Sequence, residues 1–274
     1  MFEAQNSLRY ERQHLIREYQ NTYDCRLVVM IDTLFSRSVT LLEEVLYDAV
    51  PNQDLHIIFS TQGGDGETAL RLIRQAQFRC NKLTVIVPDQ AKSAGTLFAL
   101  GADCIYMGPT SDLGPIDPQF LLSGSLAAGK AIIAAVEEAE RRVQESPDTY
   151  ALHASLLGDI TALMVQQARD ALMRTDGQLR EALACVASRS ASDVDRMAKK
   201  LRGPLLDDSQ SHGAAISTQE ALDLGLPVKE ATSGDDRWNQ VWRMWTKYLA
   251  LNVEYAYEGE TASHVKPFEP SPMH

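Results

Sequence analysis

Apolar residues in the first half of the chain gather in short, nearly unbroken runs: Arg26 to Ile31, Leu55 to Phe59, Leu83 to Val87 and Asp103 to Met107. Runs this short and rich in β-branched residues, with no polar alternation, predict strands buried on both faces. Between them, residues 38–50, 66–80 and 92–100 carry helical spacing, and strand-helix alternation predicts a parallel sheet. The expectation for residues 24 to about 125 is therefore an α/β core of repeated strand-helix units.

The second half has one further strand pattern, near Leu226 to Lys229, and reads otherwise as helices over 125–144, 149–173, 178–187 and 192–201. It is a helical layer added to the sheet. Ser192 with Asp195 and Ser217 with Glu220 have the S-x-x-[DE] spacing of capped helix starts, and Gly203-Pro204 and Gly225 with Pro227 supply stops. The stretch from Leu205 to Ile216 is then a loop between helices. Trp238, Trp242, Trp245 and Leu249 recur on one helix face, a stripe that packing against the core or a subunit would cover. From Glu254 on the chain is polar, with Pro267, Pro270 and Pro272, which predicts an arm or disorder. The expected division is an N-terminal helix (1–23), a catalytic-size α/β domain (24–230), an aromatic-striped helix (231–253) and a tail or arm (254–274).

Composition narrows the function classes. The 274 residues are 45% hydrophobic and 23% charged, ordinary for a soluble globular protein. A net charge of −11 disfavours phosphate backbones and anionic lipid as main partners. No run approaches the roughly 18 apolar residues of a spanning helix, and the N-terminus is charged throughout, so the expected location is cytoplasmic, without membrane insertion. Cys25, Cys80, Cys104 and Cys185 lie far apart with no C-x-x-C or Cys/His cluster, so no metal, disulfide framework or organic cofactor is implied.

Two strand ends open into glycine-containing turns that start helices, at Gly63-Gly64 and at Ser93-Ala94-Gly95. Ligands collect at the carboxyl ends of parallel strands. Gly63-Gly64 can offer backbone N–H groups to an anion, and Ser93 sits where a helix dipole favours developing negative charge. Gly64 and Ala94 are the candidate donor pair for an oxyanion. The residues alone leave two plainer readings open, a simple turn and a helix N-cap. Neither G-x-G-x-x-G nor a P-loop is present.

The order of four blocks resembles the serine dehydrogenase proteinase family, a relative of Clp proteases and signal peptide peptidase A in the Clp/crotonase superfamily. The blocks are Thr61-Gln62-Gly63-Gly64, Ser93-Ala94-Gly95-Thr96, Leu113-Gly114-Pro115-Ile116-Asp117-Pro118-Gln119, and His212 followed by Glu220-Ala221 and Leu224-Gly225-Leu226-Pro227-Val228. The resemblance implies a Clp/crotonase-like fold and a serine peptidase acting on peptides or proteins through a triad in the order Ser, Asp, His. Ser93 would be the nucleophile, Asp117 the orienting acid and His212 the general base, with Gly63, Gly64 and Ala94 around the oxyanion. Asp112, on the same loop, is the alternative acid. The resemblance also implies a homo-oligomer.

The chain departs from the family in carrying Gln62 where proline is usual and Gly213-Ala214-Ala215 where many members are aromatic-rich. It also shows no N-terminal membrane segment of the kind many members carry. A Ser/Lys dyad would need Lys130, since Lys92 adjoins Ser93 and is expected to point elsewhere. The competing classes are a crotonase-like protein holding an acyl-thioester enolate and an inactive scaffold for assembly.

Overall fold

The computed structural model describes residues 2–122, 124–207 and 215–268, with side chains from Ser7 on. Helix α1 (Phe2–Tyr23) leads into β1 (Cys25–Ile31), α2 (Ser36–Leu46), β2 (Asp54–Ser60), α3 (Gly66–Phe78), β3 (Leu83–Val87), β4 (Gln90–Ala91), α4 (Ala94–Leu100), β5 (Cys104–Met107) and β6 (Asp112–Leu113). A small hairpin follows, β7 (Gln119–Leu122) and β8 (Ser125–Ala128), then α5 (Gly129–Glu145), α6 (Tyr150–Leu156), α7 (Ala162–Ala184) and α8 (Ala191–Arg202). A π-turn over Gly203–Asp207 precedes the undescribed stretch, after which come β9 (Ile216–Ser217), α9 (Thr218–Asp223), β10 (Val228–Glu230), α10 (Asp236–Leu251), β11 (Val253–Glu258) and β12 (Ser263–Pro267).

Seven strands form the main sheet in the order β10-β5-β3-β2-β1-β11-β12, and the first five run parallel. Period-two geometry explains why their runs are apolar throughout. Val28 and Met30 of β1 point into one core, with Leu42 of α2, Leu72 of α3 and Leu179 of α7. Leu27 and Val29 point into the other, with Ile16 and Tyr19 of α1 and Trp245 and Tyr248 of α10. Both faces are thus covered, and the architecture is α/β with an added helical layer. A three-stranded sheet, β4-β6-β9, sits over the carboxyl edge.

Several details differ from the sequence expectation. β7 (119–122) and β8 (125–128) pair antiparallel, with Gly124 at φ +82° before β8, so helix α5 starts at Gly129 rather than Ser125. The helix break falls at 157–161, where the Thr161 hydroxyl caps α7 by accepting from the Met164 N–H at 3.1 Å; α7 then runs through Gly177 without interruption. Helix α8 is capped by Ser190 with Asp193, not by Ser192 with Asp195, while Ser217 and Glu220 cap α9 reciprocally as their spacing predicts. On α10 the buried face is Trp238, Val241, Met244, Trp245 and Tyr248; Trp242 is half-buried and Leu249 faces solvent. Gly108 admits the indole of Trp238, since a Cβ there would lie 2.3 Å from the ring.

Residues 253–267, suggested as an arm by their polarity and prolines, instead extend the sheet. β11 pairs antiparallel with β1 in the register Val29↔Glu258 and Ile31↔Ala256, and β12 closes the edge. Glu258 is fully buried yet compensated: it accepts from Arg12 Nε at 2.6 Å and Nη2 at 3.2 Å, from the Tyr248 hydroxyl at 2.7 Å and from the Ser263 hydroxyl at 2.6 Å. A buried carboxylate needs that many donors to offset its lost hydration. Pro270 and Pro272 lie outside the described residues. Among the described residues, no helix is long and apolar enough to cross a membrane.

Candidate active site

Ser93 lies between β4 and α4 with φ +50° and ψ −116°, one of the few non-glycine residues at positive φ among the described residues. Such a conformation costs on the order of 1–3 kcal/mol and persists only where the surroundings enforce it. Here the Gly95 N–H donates to Lys92 O at 2.7 Å, and the Thr61 methyl sits where a Gly95 Cβ would be, 2.2 Å away. The buried Thr96 hydroxyl lies 2.7 Å from both Ala91 O and Gly114 O and accepts from the Gly114 N–H at 3.0 Å, joining this turn to the Leu113–Gln119 block. Ser93 occupies the N-cap position of α4, its carbonyl accepting from the Leu97 N–H at 3.2 Å, but its hydroxyl makes no capping hydrogen bond.

The glycine turn packs directly against it. Gly63 (φ +116°) approaches so closely that a Cβ would lie 2.9 Å from Ser93 Cβ, and at Gly64 (φ +136°) a Cβ would lie 2.3 Å from Leu34 O. Gly63 donates its N–H to the Thr61 hydroxyl at 3.0 Å, so it contributes close approach rather than a spare donor. Its carbonyl accepts from the Leu34 N–H at 2.8 Å, while Leu34 O accepts from the Asp65 N–H at 2.8 Å. Among the described residues, neither the Gly64 N–H nor the Ala94 N–H has an acceptor. Two uncommitted donors thus stand beside a strained serine at the N-terminus of a helix.

Ser93, Ala94, Gly64 and Asp117 line one cavity of about 390 Å³, walled by Leu97 and Ile116 and by the polar side chains of Gln62, Gln119 and Gln178. Asp117 is almost wholly buried and accepts from Gln119 Nε2 at 2.8 Å. Asp112 is placed differently: it sits in β6 and pairs with Lys92 at 2.7 Å, which also turns Lys92 away from the cavity lining. Lys130 Nζ donates to Leu206 O at 3.2 Å and Asp207 O at 3.4 Å, on the π-turn rather than at Ser93. His212 lies outside the described residues. The described chain on either side of it is held to the same block, by Ile116 N–H to Leu205 O at 2.9 Å and by the β6–β9 register Leu113↔Ile216. His56 is buried on the other face, where desolvation pulls its pKa down to about 4 and Nδ1 lies 2.9 Å from the Tyr19 hydroxyl.

A larger hollow of about 650 Å³, lined by Thr22, Lys229, Arg237 and Arg243 among others, opens on the α1/α10 side and contains none of these groups. Among the described residues no cluster of three or more His, Cys, Asp or Glu is placed to hold a metal ion. Leu34 is a site-forming residue outside the motif blocks, because it acts through its backbone N–H and C=O, whereas Thr61 and Thr96 lie inside those blocks and act through their hydroxyls.

Two uncharacterized proteins of Methanocaldococcus jannaschii resemble the chain. One is 28% identical over 235 residues, covering 81% of this chain and 74% of its own length. The other is 24% identical over 234 residues, covering 80% and 71%. Among solved structures, a variant of the 1510-N membrane-bound stomatin-specific protease superposes with a TM-score of 0.46 at 15% identity, covering 75% of this chain and 78% of its own. ClpP1 from Listeria monocytogenes gives 0.41 at 15% identity, covering 78% and 97%. Residues 3–235 match the family model described as ClpP-like SDH-type serine proteinase, and the chain belongs to that family.

Proposed function

We propose that the chain is a serine peptidase that hydrolyses peptides through an acyl-enzyme on Ser93. The observation that carries this reading is the strained Ser93 backbone, which presents the hydroxyl in a cavity beside two N–H groups that have no acceptor among the described residues. In the first step His212 takes the Ser93 proton as Oγ attacks the substrate carbonyl, and the N–H groups of Gly64 and Ala94 stabilise the oxyanion. His212 then gives that proton to the departing amine, and water, activated in the same way, releases the acid. Asp117 is the acid that orients His212 and stabilises its charged form. Support comes from its place in the cavity with Ser93, whereas Asp112 is committed to Lys92.

The protein acts in this reading as a cytoplasmic homo-oligomer without a cofactor. Four free thiols fit a reducing compartment, and exposed Leu121 and Leu126 on the β7–β8 hairpin fit a surface covered on assembly. The test is labelling with a fluorophosphonate probe, read by intact mass and peptide mapping. Labelling at Ser93 is expected, absent in Ser93→Ala, reduced by orders of magnitude in His212→Ala and little changed in Lys130→Ala. Loss in the lysine variant with retention in the histidine variant would replace the triad by a Ser/Lys dyad. No labelling of the wild type in any assembly state would overturn the peptidase reading.

A further inference from the structure

The turn that carries the Gly64 N–H has glycine on both sides of one peptide bond, so little in its own backbone prevents that peptide from flipping. In a planar trans peptide the C=O of Gly63 and the N–H of Gly64 point in opposite directions. Whatever holds the carbonyl therefore aims the N–H. The carbonyl is held by the Leu34 N–H at 2.8 Å and the Thr61 hydroxyl at 3.2 Å, and Leu34 O takes the Asp65 N–H at 2.8 Å, so Leu34 brackets the turn from both sides.

Leu34 itself belongs to a short link between β1 and α2, and that link is anchored by Asp32. Asp32 is 4% exposed and sits immediately after β1. Its N–H donates to Ser60 O at 3.3 Å, and its carboxylate accepts from the Ser38 hydroxyl at 3.0 Å, the Tyr257 hydroxyl at 3.0 Å and Arg37 Nη2 at 3.1 Å. Tyr257 is fully buried on β11, beyond the residues that match the family. Burial pushes its phenol pKa up, which keeps it a neutral donor.

We infer that Asp32 is a positioning residue: held by Tyr257, Ser38 and Arg37, it fixes Leu34 so that the Gly63–Gly64 peptide keeps its N–H turned into the Ser93 cavity. This rests on the peptidase reading for its consequence, though not for its geometry. The C-terminal hairpin is then part of what aims the oxyanion donor. Tyr257→Phe removes one donor to Asp32 and preserves shape. The matched control is Tyr248→Phe, which removes a donor from Glu258, a buried carboxylate on β11 next to Tyr257 but far from the turn in the bonding network.

Two readouts decide it. The first is the rate of Ser93 acylation by a fluorophosphonate and by a peptide ester. Tyr257→Phe should lower the ester kcat about tenfold, a partial loss of one oxyanion donor, with KM held within about twofold. Tyr248→Phe should leave both constants within about twofold. The second is amide hydrogen exchange of the full chain, where protection of the Leu34 and Asp65 N–H groups should fall in Tyr257→Phe alone. Equal kinetic losses in the two variants, or unchanged exchange at Leu34 and Asp65, would overturn the positioning role. If wild-type Ser93 does not acylate, the activity reading fails and the exchange comparison decides the clamp by itself.

Discussion

At the carboxyl edge of the sheet Ser93 holds a positive φ and the N–H groups of Gly64 and Ala94 find no acceptor among the described residues. On the α1/α10 face Glu258 is saturated by Arg12, Tyr248 and Ser263, and Trp238 fills the space over Gly108. The first region keeps a strained serine and unused donors beside a cavity, whereas in the second positive φ is found at helix ends, at Asp24 and Asn252, and the buried carboxylate is fully compensated. Sparsely populated dihedrals cost energy, persist where neighbouring structure over-determines them, and cluster at functional sites. On the proposed reading, the difference separates chemistry from scaffold within one sheet.

The contrast breaks if a change in one region moves the readout of the other. The largest effect is expected from Asp117→Asn, which should slow Ser93 labelling by about 10³–10⁴-fold while leaving thermal unfolding near wild type. Asp112→Asn is its control and should label normally. Trp238→Ala should do the reverse, costing about 3–5 kcal/mol in urea unfolding while the folded fraction labels at the wild-type rate. A smaller effect is expected from His56. Because burial lowers its pKa to about 4 from an ordinary 6.5, the unfolded chain takes up that proton first as the solution is acidified. The stability tied to neutral His56 is whole above about pH 6.5 and falls toward pH 4, by up to about 1.4 kcal/mol per pH unit. His56→Gln should flatten that slope in denaturation curves taken at several pH values, without altering the labelling rate at pH 7.

The strands β1, β2, β3 and β5 were legible because burial on both faces leaves an apolar run that little else produces. The two-residue strands β4, β6 and β9 were not, since two residues carry no period. The β7–β8 hairpin reads as helix because Leu126-Ala127-Ala128 are good helix formers and the turn overrides them. β11 was hidden by polar residues: Glu254 pairs with Lys266 of β12, and Glu258 with Arg12 of α1 and Tyr248 of α10, partners that leave no local trace. In the site, Ser93, Asp117 and the glycine pair are motif residues, and side-chain identity is what motifs record. Leu34 works through its backbone N–H and C=O, which any residue but proline supplies, and Asp32 acts through Leu34. Neither leaves a signature at a fixed spacing from Ser93.

The antiparallel pairing of β1 with β11 also sets a lower limit on a useful chain length. β1 is synthesised well before β11, and its run Cys25–Ile31 is almost entirely apolar, yet one of its edges is satisfied by residues 256–258. A nascent or truncated chain ending before Val253 would present that edge unpaired, the kind of template on which strands of separate molecules join. The terminal hairpin is therefore a closure against aggregation as well as a layer of the fold, and a proteolytic nick between α10 and β11 would expose a sticky edge before it touched any residue lining the cavity.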